Sequence, residues 1–180
     1  MKKVLFVAFM LTTATSIYAQ NTTVGGSPML PAKNIVENAI NSKDHTTLVA
    51  AVSAAGLVET LKSAGPFTVF APTNDAFENL PEGTVATLLK PENKATLTKI
   101  LTYHVVAGKM TAAELIKKIK ASKGTATLKT VSGGTLLAMM NGNNIILKDE
   151  NNNTANIIIK DIIQSNGVIH SIDAVVTPKN

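Results

Sequence analysis

The sequence predicts an exported α+β domain in which helices dominate the first two thirds of the chain and antiparallel strands most of the remainder. Apolar residues recur at helical spacing over much of 32–120, whereas from Thr125 onward β-prone runs alternate with turn residues. Helices followed by hairpins favour an α+β fold over repeated βαβ units. The 180 residues include no cysteine, so packing has to stabilise the domain without disulfides.

The first 19 residues have the pattern of a cleavable secretory signal. Lys2 and Lys3 give a positively charged start, and Val4–Leu11 is an unbroken apolar run. We expect cleavage near Ala19 and release into the periplasm or the extracellular space. The alternative is an uncleaved anchor, but the apolar run is shorter than the ~20 residues that a membrane-spanning helix needs. We therefore predict a mature chain without a membrane span.

Residues 20–31 contain Gly25-Gly26-Ser27-Pro28 and show no apolar periodicity, which is typical of a linker. We predict a flexible tail over 20–31 and a single folded domain over 32–179. The length of that segment is ordinary for one domain.

Seven short helices are predicted from apolar spacing and from residues that begin or end helices. Asp44 is placed to cap the second helix, and Gly56 to end it. Thr73 or Asn74 can cap the fourth helix, and Thr111 can cap the seventh. The predicted helices cover residues 35–40, 44–55, 57–62, 74–77, 84–89, 92–102 and 111–119.

Runs of β-branched and aromatic residues predict the strands. Gly65-Pro66 interrupts the helical pattern before the first strand, and Tyr103 to Val106 returns to strand chemistry. Asn141-Gly142 is a strong hairpin signal between two strands. The predicted strands cover residues 67–71, 103–106, 135–140, 144–147, 155–163 and 168–176.

The charge pattern argues against nucleic acid as a partner. All 17 basic residues are lysine, and the chain has neither arginine nor tryptophan. Bidentate phosphate or guanine recognition is chiefly arginine chemistry, and base stacking needs exposed aromatic residues. The densest basic cluster, at 117–123, is interpreted as a solvated helix face, with a patch for an anionic surface as the alternative.

The common catalytic signatures are absent, so we predict that the chain is not an enzyme. It has no Gly-x-Ser-x-Gly elbow, no phosphate-binding loop and no cysteine nucleophile. His45, His104 and His170 lack metal-ligand spacing. His170 is expected to be half-buried on the inner face of the last strand and satisfied by a hydrogen bond, with a ligand role as the alternative. A direct dyad with Asp173 is not expected, because residues three apart on a strand point to opposite faces.

The acidic loop at 149–153 has the opening rhythm of a calcium loop. The rhythm fails at Thr154 and Lys160, where an EF-hand has glycine and a bidentate glutamate. A polar hairpin tip is the better interpretation, and we predict neither a metal nor a cofactor.

Three segments resemble the fasciclin-like (FAS1) family: TVFAPTNDAF at 68–77, LTYHVVAGK at 101–109 and SNGVIHSIDAVVTP at 165–178. The resemblance covers roughly residues 32–179, and the three segments occur in the same order as in the family. It implies a wedge of mostly antiparallel strands with helices packed on its edge. It also implies a secreted or surface module that acts in cell adhesion or matrix interaction by binding and not by catalysis.

The resemblance also suggests partner-binding positions. In animal members, a Tyr-His pair and an Asp-Ile step are implicated in integrin binding, and Tyr103-His104 and Asp161-Ile162 occupy the matching places here. Tyr103 and His104 are alternatively framework residues at the start of an apolar strand, which is the interpretation we favour.

Three functions follow as hypotheses. The first is a secreted adhesion module that binds a protein or glycan partner. The second is a carrier of a small apolar or planar ligand, suggested by the methionine-rich run at 136–140 and by two histidines in apolar runs. The third is a hydrolase built on His104 and His170. The sequence leaves the oligomeric state open.

Overall fold

The computed structural model describes residues 22–179 of the chain. The predicted signal peptide, residues 1–19, lies outside the described residues, as do the first two residues of the predicted tail.

The N-terminal segment is part of the fold. Two short strands, β1 (Thr23–Val24) and β2 (Ser27–Pro28), form an antiparallel hairpin. Val24 and Met29 are only 2% and 4% exposed and pack in the hydrophobic core. The structure therefore corrects the expectation of a flexible tail for residues 22–31. Gly25 and Gly26 have positive φ and make a tight turn, a glycine pattern that linkers share.

All seven predicted helices are present. They are α1 (Ile35–Ala39), α2 (Thr46–Ala55), α3 (Val58–Lys62), α4 (Asn74–Glu78), α5 (Thr84–Leu88), α6 (Lys94–Tyr103) and α7 (Ala112–Ala121). Thr73 caps α4, and Thr111 forms a capping box with Glu114 at α7. Gly56 ends α2 at φ +74°. Asp44 does not cap α2, because it lies in a separate 3₁₀ turn ahead of that helix.

The larger sheet has seven strands in the order β4-β3-β9-β8-β7-β6-β5. They are β3 (Phe67–Pro72), β4 (Val105–Ala107), β5 (Thr125–Lys129), β6 (Thr135–Asn141), β7 (Asn144–Lys148), β8 (Thr154–Gln164) and β9 (Gly167–Ile172). Within residues 22–179 every strand pair is antiparallel except β3 with β9. A bridge between Val106 and Thr130 joins the end of β5 to β4, so the sheet curls back on itself. This confirms the predicted α+β fold with a mostly antiparallel sheet.

Two predicted strand boundaries differ from the structure by more than one residue. Tyr103 is the last residue of α6 and His104 is its C-cap, so the strand begins only at Val105. The last strand ends at Ile172, because the carboxylate of the following residue, Asp173, takes the place of a backbone acceptor. It accepts hydrogen bonds from the backbone N–H and the side-chain amide of Asn156 on β8.

The apolar residues form two cores. The first lies between α1–α6 and strands β3, β4, β8 and β9. Its buried residues include Val36, Leu61, Val69, Leu101, Ile162 and Ile169. The second lies between α7 and strands β5–β9, and its buried residues include Tyr103, Leu115, Leu128, Leu136, Leu147 and Ile172. All six residues of β9 are buried, because this central strand contributes to both cores.

Candidate functional site

Tyr103, the first predicted binding residue, is completely buried. Its hydroxyl donates to the carbonyl oxygen of Thr135 at 2.6 Å and accepts from the N–H of Glu150 at 3.2 Å. Burial raises the pKa of Tyr103 to about 12. A Cβ on Gly134 would stand 2.7 Å from the Tyr103 ring, so this turn packs tightly against the aromatic side chain. These contacts fit a framework role.

His104 is also buried, at 2% exposure. Its Nδ1 lies 2.9 Å from the carbonyl oxygen of Ile100, and its Nε2 accepts the N–H of Val176 at 3.3 Å. These partners assign the neutral tautomer that carries its proton on Nδ1. Burial lowers the pKa of His104 to about 4, against weaker opposing effects of the Ile100 carbonyl and the carboxylate of Asp149.

Asp161 and Ile162 lie at an irregularity in β8, where the pairing register with β9 shifts. Asp161 has φ +61°, which only a few residue types adopt readily. Its Oδ1 accepts the N–H of Ala112 at the start of α7 at 2.7 Å, and its own N–H donates to Nδ1 of His170 at 3.2 Å. Ile162 is 1% exposed and belongs to the first core. Asp161 thus connects β8 to both β9 and α7 through hydrogen bonds.

His170 is fully buried, where we expected half-burial, because β9 is covered on both faces. Its Nε2 lies 2.8 Å from the carbonyl oxygen of Met110, and its ring stacks on Phe70 with centroids 5.8 Å apart. The prediction that His170 is satisfied by a hydrogen bond is confirmed. Burial lowers its pKa, against the weaker influences of the Met110 carbonyl and the Asp161 carboxylate.

The geometry does not support a hydrolase centred on His104 and His170. The ring nitrogens of both face backbone groups, so neither is positioned to take a proton from a nucleophile. His45 differs, since it lies between the hydroxyls of Ser42, at 2.9 Å, and Ser171, at 3.1 Å. All three of those residues are buried, and burial lowers the pKa of His45.

The acidic loop is a structured hairpin tip, as predicted. Oδ1 of Asp149 accepts the N–H groups of Asn151 and Asn153, and its Oδ2 accepts that of Thr177. Over residues 22–179, no group of three His, Asp or Glu side chains gathers in a way that could hold a metal ion. Within the same range, no helix is long and apolar enough to cross a membrane.

One cavity, of about 210 Å³, lies where α1–α3 face strands β3, β4 and β9. Its lining draws on distant parts of the chain: Val24, Val36, Val58, Phe67, His104 and Ile169. No sequence motif marks it. The methionine-rich run at 136–140 lies elsewhere, since its buried residues belong to the second core.

The outer face of the sheet, opposite α7, carries a second apolar feature. Leu137, Met139 and Ile146 are partly exposed, Ile158 is 52% exposed, and these four side chains belong to neither core. Met139 and Ile146 are direct cross-strand partners on β6 and β7. We call these four residues the outer-face patch. The lysines at 117–123 are all exposed on or just beyond α7, in keeping with a solvated helix face.

Comparisons with known proteins point to one family. The model of the fasciclin domain matches residues 43–178. Protein sll1483 of Synechocystis is 49% identical over 148 residues, covering 82% of this chain and 74% of that protein. The immunogenic protein MPB70 of Mycobacterium bovis is 35% identical over 145 residues, covering 78% of this chain and 66% of that protein. Human periostin is 31% identical over 135 residues, which are 75% of this chain and 15% of periostin.

A solved structure shows the same fold. It is described as a FAS1 domain pair from the insect cell adhesion molecule fasciclin I, and it superimposes with a TM-score of 0.70 at 17% identity. The match covers 81% of this chain and 51% of that one. The family match, the relatives and the shared fold agree, and this chain belongs to the fasciclin domain family.

Proposed function

We propose that this protein is an adhesion-type interaction module that works outside the cytoplasm by binding a protein or glycan partner. Its family membership supports this proposal, as does its likeness in fold to the insect protein, which is described as a cell adhesion molecule. The signal-like pattern at residues 1–19 supports export to the periplasm or beyond. Non-enzymatic action is part of the proposal, because the histidines of the domain are engaged in structural hydrogen bonds.

The single observation that carries the proposal is the outer-face patch. Apolar residues scattered singly over a surface are ordinary, but adjoining ones on an open sheet face are typical of interaction sites. Met139 and Ile146 pair across strands, and Leu137 lies two residues from Met139 on the same face. Methionine and isoleucine offer an adaptable apolar contact that polar neighbours such as Lys148 and Asn156 can surround.

The family-derived residues support a positioning role better than direct contact. Tyr103, His104 and Ile162 are at most 2% exposed, so a partner could not reach them in the folded domain. Asp161 alone of the four is partly exposed. Their partner-binding role remains a prediction that rests on resemblance.

The test is an adhesion assay with a strain that lacks the gene. Wild-type protein is expected to restore attachment to a surface coated with the host's own matrix, and a Met139→Lys/Ile146→Lys variant is expected not to. The matched control is Ala54→Lys/Ala86→Lys, which adds the same charge at exposed helical positions away from the sheet. Unchanged attachment on deletion would refute the adhesion function, whereas equal rescue by both variants would refute the role of the patch.

A further inference from the structure

The cavity between α1–α3 and the sheet has the properties of a small-molecule site. Its walls come from both sides: Val36, Val52 and Leu61 from the helices, and Phe67 and Ile169 from the strands. Protein interiors rarely leave voids larger than a water molecule, so a space of about 210 Å³ lined by residues of the first core is unusual.

The polar groups at the cavity are already satisfied by the protein. His45 is bonded to two serine hydroxyls, and His104 to two backbone groups. In the described part of the chain, no buried side-chain nitrogen or oxygen lacks a hydrogen-bond partner. Water needs two to four polar partners to occupy a cavity, and this one offers none free among its buried side chains. An apolar group is the occupant that fits.

The cavity opens at a rim where apolar side chains reach solvent. Ile40 and Val131 are 59% and 49% exposed, and both line the cavity. Lys62 is also in its lining and forms an ion pair with Glu59 at 3.1 Å. Because the pair contains one positive and one negative charge, we expect the cavity to bind ligands with a positive, negative or neutral polar end about equally well. The apolar part therefore determines binding.

The volume limits the ligand's size. An engineered apolar cavity of about 150 Å³ holds benzene, which has six carbons. In proportion, a cavity of about 210 Å³ encloses roughly eight carbons. We propose that this cavity binds a linear or planar hydrocarbon group of about eight carbons whose polar end stays at the rim. The site is distinct from the outer-face patch, because its walls belong to the first core and the patch to neither.

The proposal is tested by an NMR titration of the purified full chain with 1-butanol, 1-hexanol, 1-octanol and 1-dodecanol. Each methylene that enters the cavity is expected to tighten binding about fourfold, up to roughly eight carbons, after which the gain stops. Methyl shifts are expected at Val36, Leu61 and Ile169 and not at Leu128 or Leu147 of the second core.

A matched pair of variants separates the cavity from general surface binding. Val58→Phe adds bulk to the cavity wall and is expected to weaken 1-octanol binding at least tenfold, whereas Ala86→Phe adds an aromatic ring at an exposed position outside both the cavity and the outer-face patch and is expected to leave 1-octanol binding unchanged. Binding that does not depend on chain length, or shifts spread over both cores, would overturn the proposal. The alcohol series with the wild-type protein tests the cavity proposal even if Val58→Phe does not fold. A negative result in that series would not change the outcome expected in the adhesion assay.

Discussion

Acid is expected to destabilise this domain through His104. The imidazole is neutral in the folded state, and its folded pKa of about 4 lies below the ordinary value of 6.5. As the pH falls below 6.5, the unfolded chain therefore takes up a proton that the folded chain refuses. Stability is fully present above that pH and decreases until the folded group also titrates, near pH 4.

The size of the effect follows from the two pKa values. Between pH 7 and pH 5, the free energy of unfolding is expected to fall by about 2 kcal/mol from His104 alone, since each pH unit within the window costs about 1.36 kcal/mol. His45 and His170 act with the same sign, because burial lowers their pKa values too. The pKa values of Glu114 and Glu150 are also lowered, but their stabilisation is lost only as the pH falls below about their ordinary value of 4.5.

Urea unfolding at pH 7 and pH 5 measures the effect, and the lack of cysteine keeps disulfide exchange out of the experiment. His104→Asn removes the titrating group. This variant is expected to be less stable at pH 7, yet to lose about 2 kcal/mol less than the wild type between the two pH values. Equal losses in the two proteins, or an NMR titration of the His104 ring near pH 6.5, would refute the reasoning.

Five further substitutions test the framework by urea unfolding. Asp161→Ala is expected to destabilise by about 1–3 kcal/mol, because it leaves the Ala112 N–H unpaired and places alanine at the positive φ of residue 161. Asp161→Asn is expected to destabilise less, since asparagine tolerates that φ. Gly134→Ala is expected to cost about 1–3 kcal/mol by pressing on the Tyr103 ring, and Tyr103→Leu in the same chain should relieve part of that cost. Asn166→Ala is expected to cost about 3 kcal/mol or more, because the side chain is hydrogen-bonded to three backbone groups, two of them in buried bonds and the third in a partly buried one. Additive losses in the Gly134/Tyr103 pair, or an Asn166 loss below about 1 kcal/mol, would contradict these assignments.

Local signals predicted the elements that local chemistry determines. Thr111, Gly56 and Asn141 each form the cap or turn expected of them. Their effects act within a few residues, so they are visible in the sequence.

Features set by distant contacts were not predictable in this way. Tyr103 and His104 have the composition of a strand, but His104 ends a helix and bonds Val176, 72 residues away. The parallel pairing of β3 with β9 joins segments about 100 residues apart. Val24 and Met29 lie beside a linker-like glycine pair, and only the assembled core shows that they are buried.

The candidate sites follow the same division. The family resemblance located Tyr103, His104, Asp161 and Ile162, but the sequence did not show that three of the four are almost completely buried. The cavity has no sequence signal, because its lining spans residues 24 to 169. The side chains of β6 alternate between its two faces, but its sequence is apolar at successive positions, so only the structure shows that Leu136 and Ala138 face the core and that Leu137 and Met139 face outward.

The three histidines explain how a domain without cysteine holds its central strand. His45 joins the segment before α2 to Ser171 of β9, and His170 joins β9 to the loop before α7. His104 joins the end of α6 to Val176, just beyond β9. A neutral imidazole can donate from one nitrogen and accept at the other, so each ring connects two segments without a buried charge. All three connections meet at or next to β9, the strand shared by both cores, so protonation would weaken the domain at the strand that unites it.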